Sequence, residues 1–436
     1  MKPYPHYKNS GIEWLGKVPS HWNIVKLKYR LRFQTGWTPS TSRSEFYGGE
    51  NTWVTIGDMN GKVISDSSQK LTDEAIEQSN IANTPKGSLL YSFKLSVGKV
   101  AFAGTDLFTN EAIISILPSP QIDLNFYYYL LADQLIRNAH ENIYGAKLLN
   151  QELIRNALLL IPPTEEQTAI ADYLDHKTAV LDNIIAQKQR LIELLQEERT
   201  AVISTAVTQG LDPHAPRKPS GIPWLGDIPT HWKVKKLKRA SKINPSKSEI
   251  IGNVNFDEEV AFFPMESIGE NGEIYSTQKR RVEDLYNGFT YFRRSDVIVA
   301  KITPCFENGK GASLHEMSTE IGFGSTEFHV FRPFSIIQKY LFYITRSNPF
   351  KQLGEAAMTG AAGQKRVPTN FVESFQIGVP DIDEQHLITN YLDDKTAQID
   401  QTIAQTEKQI TLLQEYRTTL ISNVVTGKID IRDVNV

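Results

Sequence analysis

Between Pro163 and Gly210, and again between Pro380 and Gly427, apolar side chains return at alternating steps of four and three with no proline or glycine to interrupt them. The first series runs Leu174, Thr178, Leu181, Ile185, Lys188, Ile192, Leu195, Arg199, Val202 and Ala206. The second runs Leu392, Thr396, Ile399, Ile403, Thr406, Ile410, Leu413, Arg417, Leu420 and Val424. Seven of ten positions are apolar in each series, in the same register, which predicts two long helices with a coiled-coil seam. At ~1.5 Å per residue, roughly 40 residues form a rod of about 60 Å. Two such helices in one chain are expected to pair antiparallel, with a globular block at each end. Each seam also carries a threonine and an arginine. These are either solvated edge positions or polar contacts that fix the register.

The segments between read as mixed structure. Val25 to Phe33 alternates apolar and basic residues, the pattern of a strand with one face of each kind. Residues 121–141, with Phe126, Tyr127, Tyr128, Leu130, Leu131 and Ile136, predict a helix, as do residues 335–357 around Tyr340, Leu341 and Tyr343. Each block thus has strands first and a helix last, an α+β arrangement. Pro213 to Pro219 is a linker by composition. The expected divisions are a block at 1–160, a helix at 161–212, a second block at 213–378, and a second helix with its tail at 379–436.

The chain is also written twice. Residues 10–28 and 220–238 share twelve of nineteen positions, including Trp14-Leu15-Gly16, His21-Trp22 and their counterparts Trp224-Leu225-Gly226 and His231-Trp232. Residues 161–212 and 379–430 share twenty-six of fifty-two at an offset of 218. The fold is therefore expected to have pseudo-twofold internal symmetry. The His-Trp pairs lie in turns rich in proline and glycine, where packing is the expected role.

Charge alters this picture only when it is divided by segment. The whole chain is near neutral at −3, but the four segments ending at 164, 212, 382 and 436 carry +2, −5, +4 and −4. Mildly basic blocks therefore alternate with acidic helices. A single cysteine, Cys305, excludes an internal disulfide and a cysteine zinc cage. No apolar run approaches the roughly 20 residues that span a bilayer. The first residues lack the apolar core of a signal peptide, so a cytoplasmic protein is expected.

Catalytic motifs are missing. There is no GxxxxGK[ST] loop, no GxGxxG after a strand, no HExxH, no Asn-Pro-Pro-Tyr and no paired histidine spacing. Asp381 with Asp393-Asp394-Lys395 imitates a metal-dependent nuclease pattern. However, Pro163 replaces Asp381 in the first copy, and the acidic-x-Lys element falls on a predicted helix. A solvated helix face explains it better.

Two variable blocks, each preceded by a Trp-Leu-Gly…Pro…His-Trp stretch and followed by a long helix opening with a Pro-x-x-x-Glu-Gln pattern, resemble the specificity subunits of type I restriction-modification systems. The marks are Pro162 to Gln167 (P-P-T-E-E-Q), Asp383-Glu384-Gln385 and the two WLG…HW segments. The resemblance covers essentially the whole chain. It implies that each block is a target recognition domain reading half of a bipartite site in double-stranded DNA. The helices would act as spacer and would dock two methyltransferase subunits. ATP-dependent restriction subunits would join in the full complex. Methyl donor, ATP and Mg²⁺ would then bind the partners, so this chain is expected to need no cofactor and to be no enzyme itself. A stand-alone site-specific endonuclease and a coiled-coil scaffold that never touches DNA are the competing readings.

Strand-loop-strand elements with Lys, Asn, Ser and Thr at their tips suit phosphate anchoring and base-edge contact. The candidates are Lys94, Ser96, Lys99 and Asn110 in the first block, and Lys301, Asn308, Lys310 and Ser325 in the second. Lys99 resembles Lys310, and Asn110-Glu111 aligns with Thr326-Glu327. Residues shared in this way suit a common scaffold as well as a DNA contact, and both readings stand. Lys279, Arg280, Arg281, Arg293 and Arg294 are candidate phosphate anchors. Ile184, Leu191, Leu194 and Ile203 lie off the first seam and are candidates for partner docking.

Overall fold

The computed structural model describes residues 2–94, 96–141, 147–361 and 363–434. Its two long helices are Thr164–Gln209 and Ile382–Val425. The opening motif explains where each begins. Gln167 Nε2 donates to the Pro162 carbonyl at 2.8 Å, and Gln385 Nε2 donates to that of Pro380 at 3.0 Å. Each helix ends at a glycine in the left-handed region, Gly210 at φ +75° and Gly427 at φ +70°. A Cβ on Gly427 would lie 2.4 Å from Pro19 Cδ, so no other residue fits that close approach.

The chain divides into two compact units, Met1–Gln187 with Lys408–Val436, and Lys188–Glu407. Each unit holds one block together with the opening half of one long helix and the closing half of the other, which pair antiparallel. The seam arginines fix that pairing. In the first unit Arg417 reaches the two carboxylate oxygens of Asp182 at 2.8 and 3.2 Å. In the second, Arg199 meets Asp400 at 2.9 Å. Asp182 and Asp400 are one position of the repeat and Arg199 and Arg417 another, so the same polar contact is made twice with the roles exchanged. The seam threonines are buried as well. Thr178 shares a hydrogen bond with the Tyr129 hydroxyl at 3.1 Å, and Thr396 donates to its own helix at the Leu392 carbonyl.

Both blocks are α+β and use one plan. In the first unit the strand order is Phe33–Thr35, Ile113–Ile116, Leu89–Ser92, Val100–Ala103 and Val63–Ile64. A second sheet joins Phe108–Thr109, Tyr47–Val54 and Gln69–Leu71. The second unit repeats the larger sheet as Ser241–Ile243, Phe328–Pro333, Val297–Ala300 and Gly311–Ser313. Its other sheet is Gln278–Arg281, Glu259–Phe263, Ile321–Gly324 and Thr290–Arg293. In both units the second sheet contains one parallel pair, Phe108–Thr109 on Tyr47–Val54 and Ile321–Gly324 on Glu259–Phe263.

A two-stranded ribbon ties each block to its helices, Asn23–Lys26 with Leu158–Ile161 and Lys233–Lys236 with Gln376–Val379. The expected single strand from Val25 to Phe33 is not formed. The ribbon strand stops at Lys26, a 3₁₀ turn spans Leu27–Tyr29, and the sheet strand starts only at Phe33. The turn places Leu27 and Leu31 in the core, which the spacing of four satisfies as well as strand alternation does. The expected helix at 335–357 is two helices, Gln338–Arg346 and Asn348–Ala356, broken at extended Ser347 ahead of Pro349. In the first unit one apolar core joins Trp22, Phe126 and Tyr127 of the block to Leu174, Leu420 and Val424 of the helices. In the second, Trp232, Tyr340 and Leu341 join Ile203, Ile388 and Leu392.

Candidate nucleic-acid interface

Each block is held to the start of its long helix by a carboxylate, buried in the first unit and partly exposed in the second. Glu166 accepts from Trp22 Nε1 at 2.7 Å and pairs with His21 Nε2 at 3.0 Å. Its counterpart Glu384 accepts from Trp232 Nε1 at 3.0 Å and pairs with His231 Nε2 at 2.6 Å. The His-Trp pairs are therefore anchors as well as packing. Two turns along the helix a second anchor recurs. The Tyr129 hydroxyl and Lys62 bind Asp175, and the Tyr343 hydroxyl and Lys339 bind Asp393 at 2.7 and 2.6 Å. Burial and the neighbouring aspartate push both tyrosine pKa values up, so the hydroxyls stay donors. Asp393 of the nuclease-like pattern thus has a structural task, and Asp381 caps the helix by accepting from the Glu384 amide.

With the frame held, the loops at the sheet ends can be compared. Lys99 and Lys310 occupy one place. Each closes the hairpin of the central strand, accepting at its carbonyl from Ser92 and Ala300 respectively. Asn110 and Ser325 are also equivalent, because their amides donate to Val54 and Phe263, the last residues of matching strands, at 3.0 Å each. The alignment expected from sequence, Asn110 with Thr326, is off by one. Asn110 Oδ1 accepts from the Ala112 amide and Ser325 Oγ from the Glu327 amide, both at 3.2 Å. Both side chains thus close the turn of their own loop.

Other candidates are engaged too. Lys99 Nζ donates to the Ile56 carbonyl at 3.1 Å, and Asn308 donates to Glu270 at 2.9 Å. Arg280 lies over Phe262 and Phe289, and Arg281 faces Glu283. Arg293 donates to the Tyr291 hydroxyl at 2.6 Å, and Arg294 to the Met317 carbonyl at 2.9 Å. Moreover, Arg293 pairs with Ile321 while Ser325 follows Gly324, so the two lie at opposite ends of the sheet, about 13 Å apart at ~3.3 Å per residue. Arg281, opposite Glu259, shares the far end.

Among the described residues, Lys94, Ser96, Lys279, Lys301 and Lys310 keep side-chain donors without a hydrogen-bonded partner, Lys94 lying only beside the Phe93 ring. Lys301 lines a cavity of about 390 Å³ with Phe289, Tyr291, Phe328, Asn244 and Ser246. Beside it, burial holds the pKa of His329 below its usual range. A neutral ring fits its partners, with Nε2 donating to the Val367 carbonyl at 2.8 Å and Nδ1 accepting from Asn244 Nδ2 at 3.3 Å. The off-seam helix residues also separate. Leu191 and Leu194 are exposed at 41% and 46%, and Ile184 is half-buried. Ile203 is 2% exposed inside the second core, so its side chain has no surface to offer a partner. No helix among the described residues is long and apolar enough to cross a membrane.

This geometry defines a class, a twice-built α+β protein whose blocks are locked to paired helices and present basic loops. The profile of the family described as type I restriction modification DNA specificity domain matches residues 19–194 and 229–412, one match in each repeat. The chain belongs to this family. The specificity subunit of the type I restriction enzyme EcoAI of Escherichia coli is 39% identical over 165 residues, 37% of this chain and 27% of that protein. That of EcoEI, also from Escherichia coli, is 35% identical over 162 residues, 36% of this chain and 27% of that protein. The match to these two relatives therefore spans about a quarter of their length. The MjaVIII specificity subunit of Methanocaldococcus jannaschii is 23% identical over 430 residues, 96% of this chain and 95% of that protein. Among solved structures, one from work on complex assembly and conformational transition of the type I R-M system has a TM-score of 0.69 at 14% identity, covering 94% of this chain and 99% of that one. The HsdS subunit from Thermoanaerobacter tengcongensis has a TM-score of 0.53 at 14% identity, covering 94% and 98%. At this identity both show the fold alone.

Proposed function

We propose that this chain is the non-catalytic, DNA-reading subunit of a type I restriction-modification complex in the cytoplasm, with one target recognition domain in residues 1–160 and another in 213–378. The observation that carries the reading is the duplication of one plan with different loops. The frame of each block is repeated down to the Trp–Glu and Tyr–Asp anchors, while the hairpin tips at 93–99 and 301–310 have different lengths and residues. A protein that must read two different half-sites needs a constant frame and variable tips. Lys94, Ser96, Lys301 and Lys310 are the tip residues best free to reach DNA. Lys99, Asn110, Asn308 and Ser325 shape the loops that carry them.

The helices would separate the two readings and receive two methyltransferase subunits, with ATP-dependent restriction subunits joining in the full complex. Exposed Leu191 and Leu194 in one unit, and Leu412 and Tyr416 in the other, at 53% and 52%, are apolar surface of the kind a partner helix covers. Gel shifts of purified chain with its methyltransferase partner on mixed-sequence DNA test the reading. A sequence-dependent shift is expected. Absence of any shift would favour a scaffold, and reproducible cutting by the chain with Mg²⁺ alone would favour a nuclease.

A further inference from the structure

One element of the second block, part of whose sequence recurs in the first, has no part in the anchors and stands beside the hairpin tip. It is the hairpin that leads into the last short helix of the second block, Thr359 to Arg366. We infer that its end, Gly363 to Lys365, is a seat for a DNA backbone phosphate, blind to base sequence. This assignment rests on the DNA-reading role proposed above and adds a site to it.

The hairpin is braced at its base and free at its end. Thr359 and Arg366 exchange backbone hydrogen bonds at 3.0 and 2.8 Å. The Lys365 carbonyl accepts from both the amide and the hydroxyl of Thr303 at 3.0 Å. Arg366 grips both oxygens of Glu327 at 2.9 Å, which holds that carboxyl below its usual pKa range and commits its negative charge. The Lys365 ammonium and the Gln364 side-chain amide are exposed, with no hydrogen-bonded partner among the described residues. Gly360 and Gly363, at φ +128° and +80°, hold backbone conformations open to glycine and strained for other residues. A lysine, a side-chain amide and a glycine backbone on a pre-braced turn are donors suited to a phosphate oxygen. Lys301 is its neighbour, since the Val367 amide donates to the Lys301 carbonyl at 2.8 Å.

Recurrence decides between phosphate and base. The 218-residue offset carries Gly363-Gln364-Lys365 onto Gly145-Ala146-Lys147 in the sequence. It also carries the following helix, Thr369–Ser374, onto Gln151–Asn156. The hairpin tips at 93–99 and 301–310 change between the halves, yet the glycine and lysine do not. Of phosphate and base, only the sugar-phosphate backbone is the same in two different half-sites.

The test uses the complete chain with its methyltransferase partner, as wild type, Lys365→Ala and Lys365→Arg. Affinity is measured from 50 to 200 mM KCl on a duplex carrying the chain's methylated site and on a scrambled duplex. Removing one phosphate contact is expected to reduce the slope of log affinity against log salt by about 0.9. The deficit of Lys365→Ala should then be about 3-fold larger at 50 than at 200 mM. It should be equal on both duplexes, and Lys365→Arg should retain the wild-type slope. Unchanged affinity and slope in Lys365→Ala would overturn the assignment. So would a loss confined to the specific duplex with an altered preference at one base pair. If the wild-type complex itself shows no sequence dependence, the DNA-reading role falls, and this is seen before any variant is compared.

Discussion

Removing the carboxylate that anchors each block should weaken the two units unequally. Trp22 is fully buried and its Nε1 donates to Glu166, itself only 5% exposed. Glu166→Ala leaves the indole N–H buried without an acceptor, a loss of about 1–3 kcal/mol for the donor alone. His21 also loses its hydrogen-bond partner, and Arg432, 3.5 Å from the same carboxylate, its counter-charge. The expected total is about 2–3 kcal/mol. The side chain of Glu384 is 25% exposed, so water can take its place beside Trp232, and Glu384→Ala should cost about 1 kcal/mol. At about 2–4 °C per kcal/mol for a unit of this size, Tm should fall by about 4–12 °C for the first and about 2–4 °C for the second. Thermal unfolding by circular dichroism gives the shifts, and limited proteolysis shows which unit opens first. Glu166→Gln, which keeps an acceptor for the indole, should recover part of the loss. Equal shifts, or a larger one for Glu384→Ala, would refute the reasoning.

Three further outcomes are expected. Because burial holds His329 neutral, the unfolded chain gains a proton below pH ~6.5 that the folded chain refuses, so the second unit should lose stability as pH falls from about 6.5 towards the lowered folded pKa. His329→Gln should remove that slope from urea unfolding measured between pH 7 and 5, and an unchanged slope would assign it to other groups. In a double-mutant cycle, Arg199→Ala and Asp400→Ala should show coupling of about 1 kcal/mol, modest because the aspartate is half exposed, and additive effects would show that the pair does not fix the helix register. Leu191→Asp with Leu194→Asp should leave the circular dichroism spectrum and Tm intact while weakening methyltransferase binding at least 10-fold by calorimetry, and unchanged affinity would place docking elsewhere.

The architecture was legible where periodicity is long or repetition exact in kind. Ten seam positions in one register fix a helix regardless of its surroundings, and the repeat required the two halves to share one plan. Short elements were less legible. Leu27 and Leu31 fit a strand or a helical turn equally, and only the core beneath them, with the Ala157 carbonyl receiving the Leu27 amide, selects the turn. Ile203 looked like a docking residue because it lies off the seam, yet it faces a block that the helix pattern alone does not reveal. The anchors were half visible. Glu166 and Glu384 belong to the opening motif, and His-Trp to the repeat, but about 150 residues separate the partners and no local spacing joins them. The surroundings of the basic candidates were the least legible, since a lysine or arginine in sequence does not show whether a carbonyl or a ring already holds it, as with Lys99, Arg280 and Arg294.

The central claim is that each block reads one half-site independently. Residues 29–145 can be replaced by the corresponding block of a relative, and the methylation pattern of the host genome read with the native and the exchanged chain. One half of the bipartite site should change while the other is kept. A wholly new site, or methylation that does not depend on this chain, would contradict the claim.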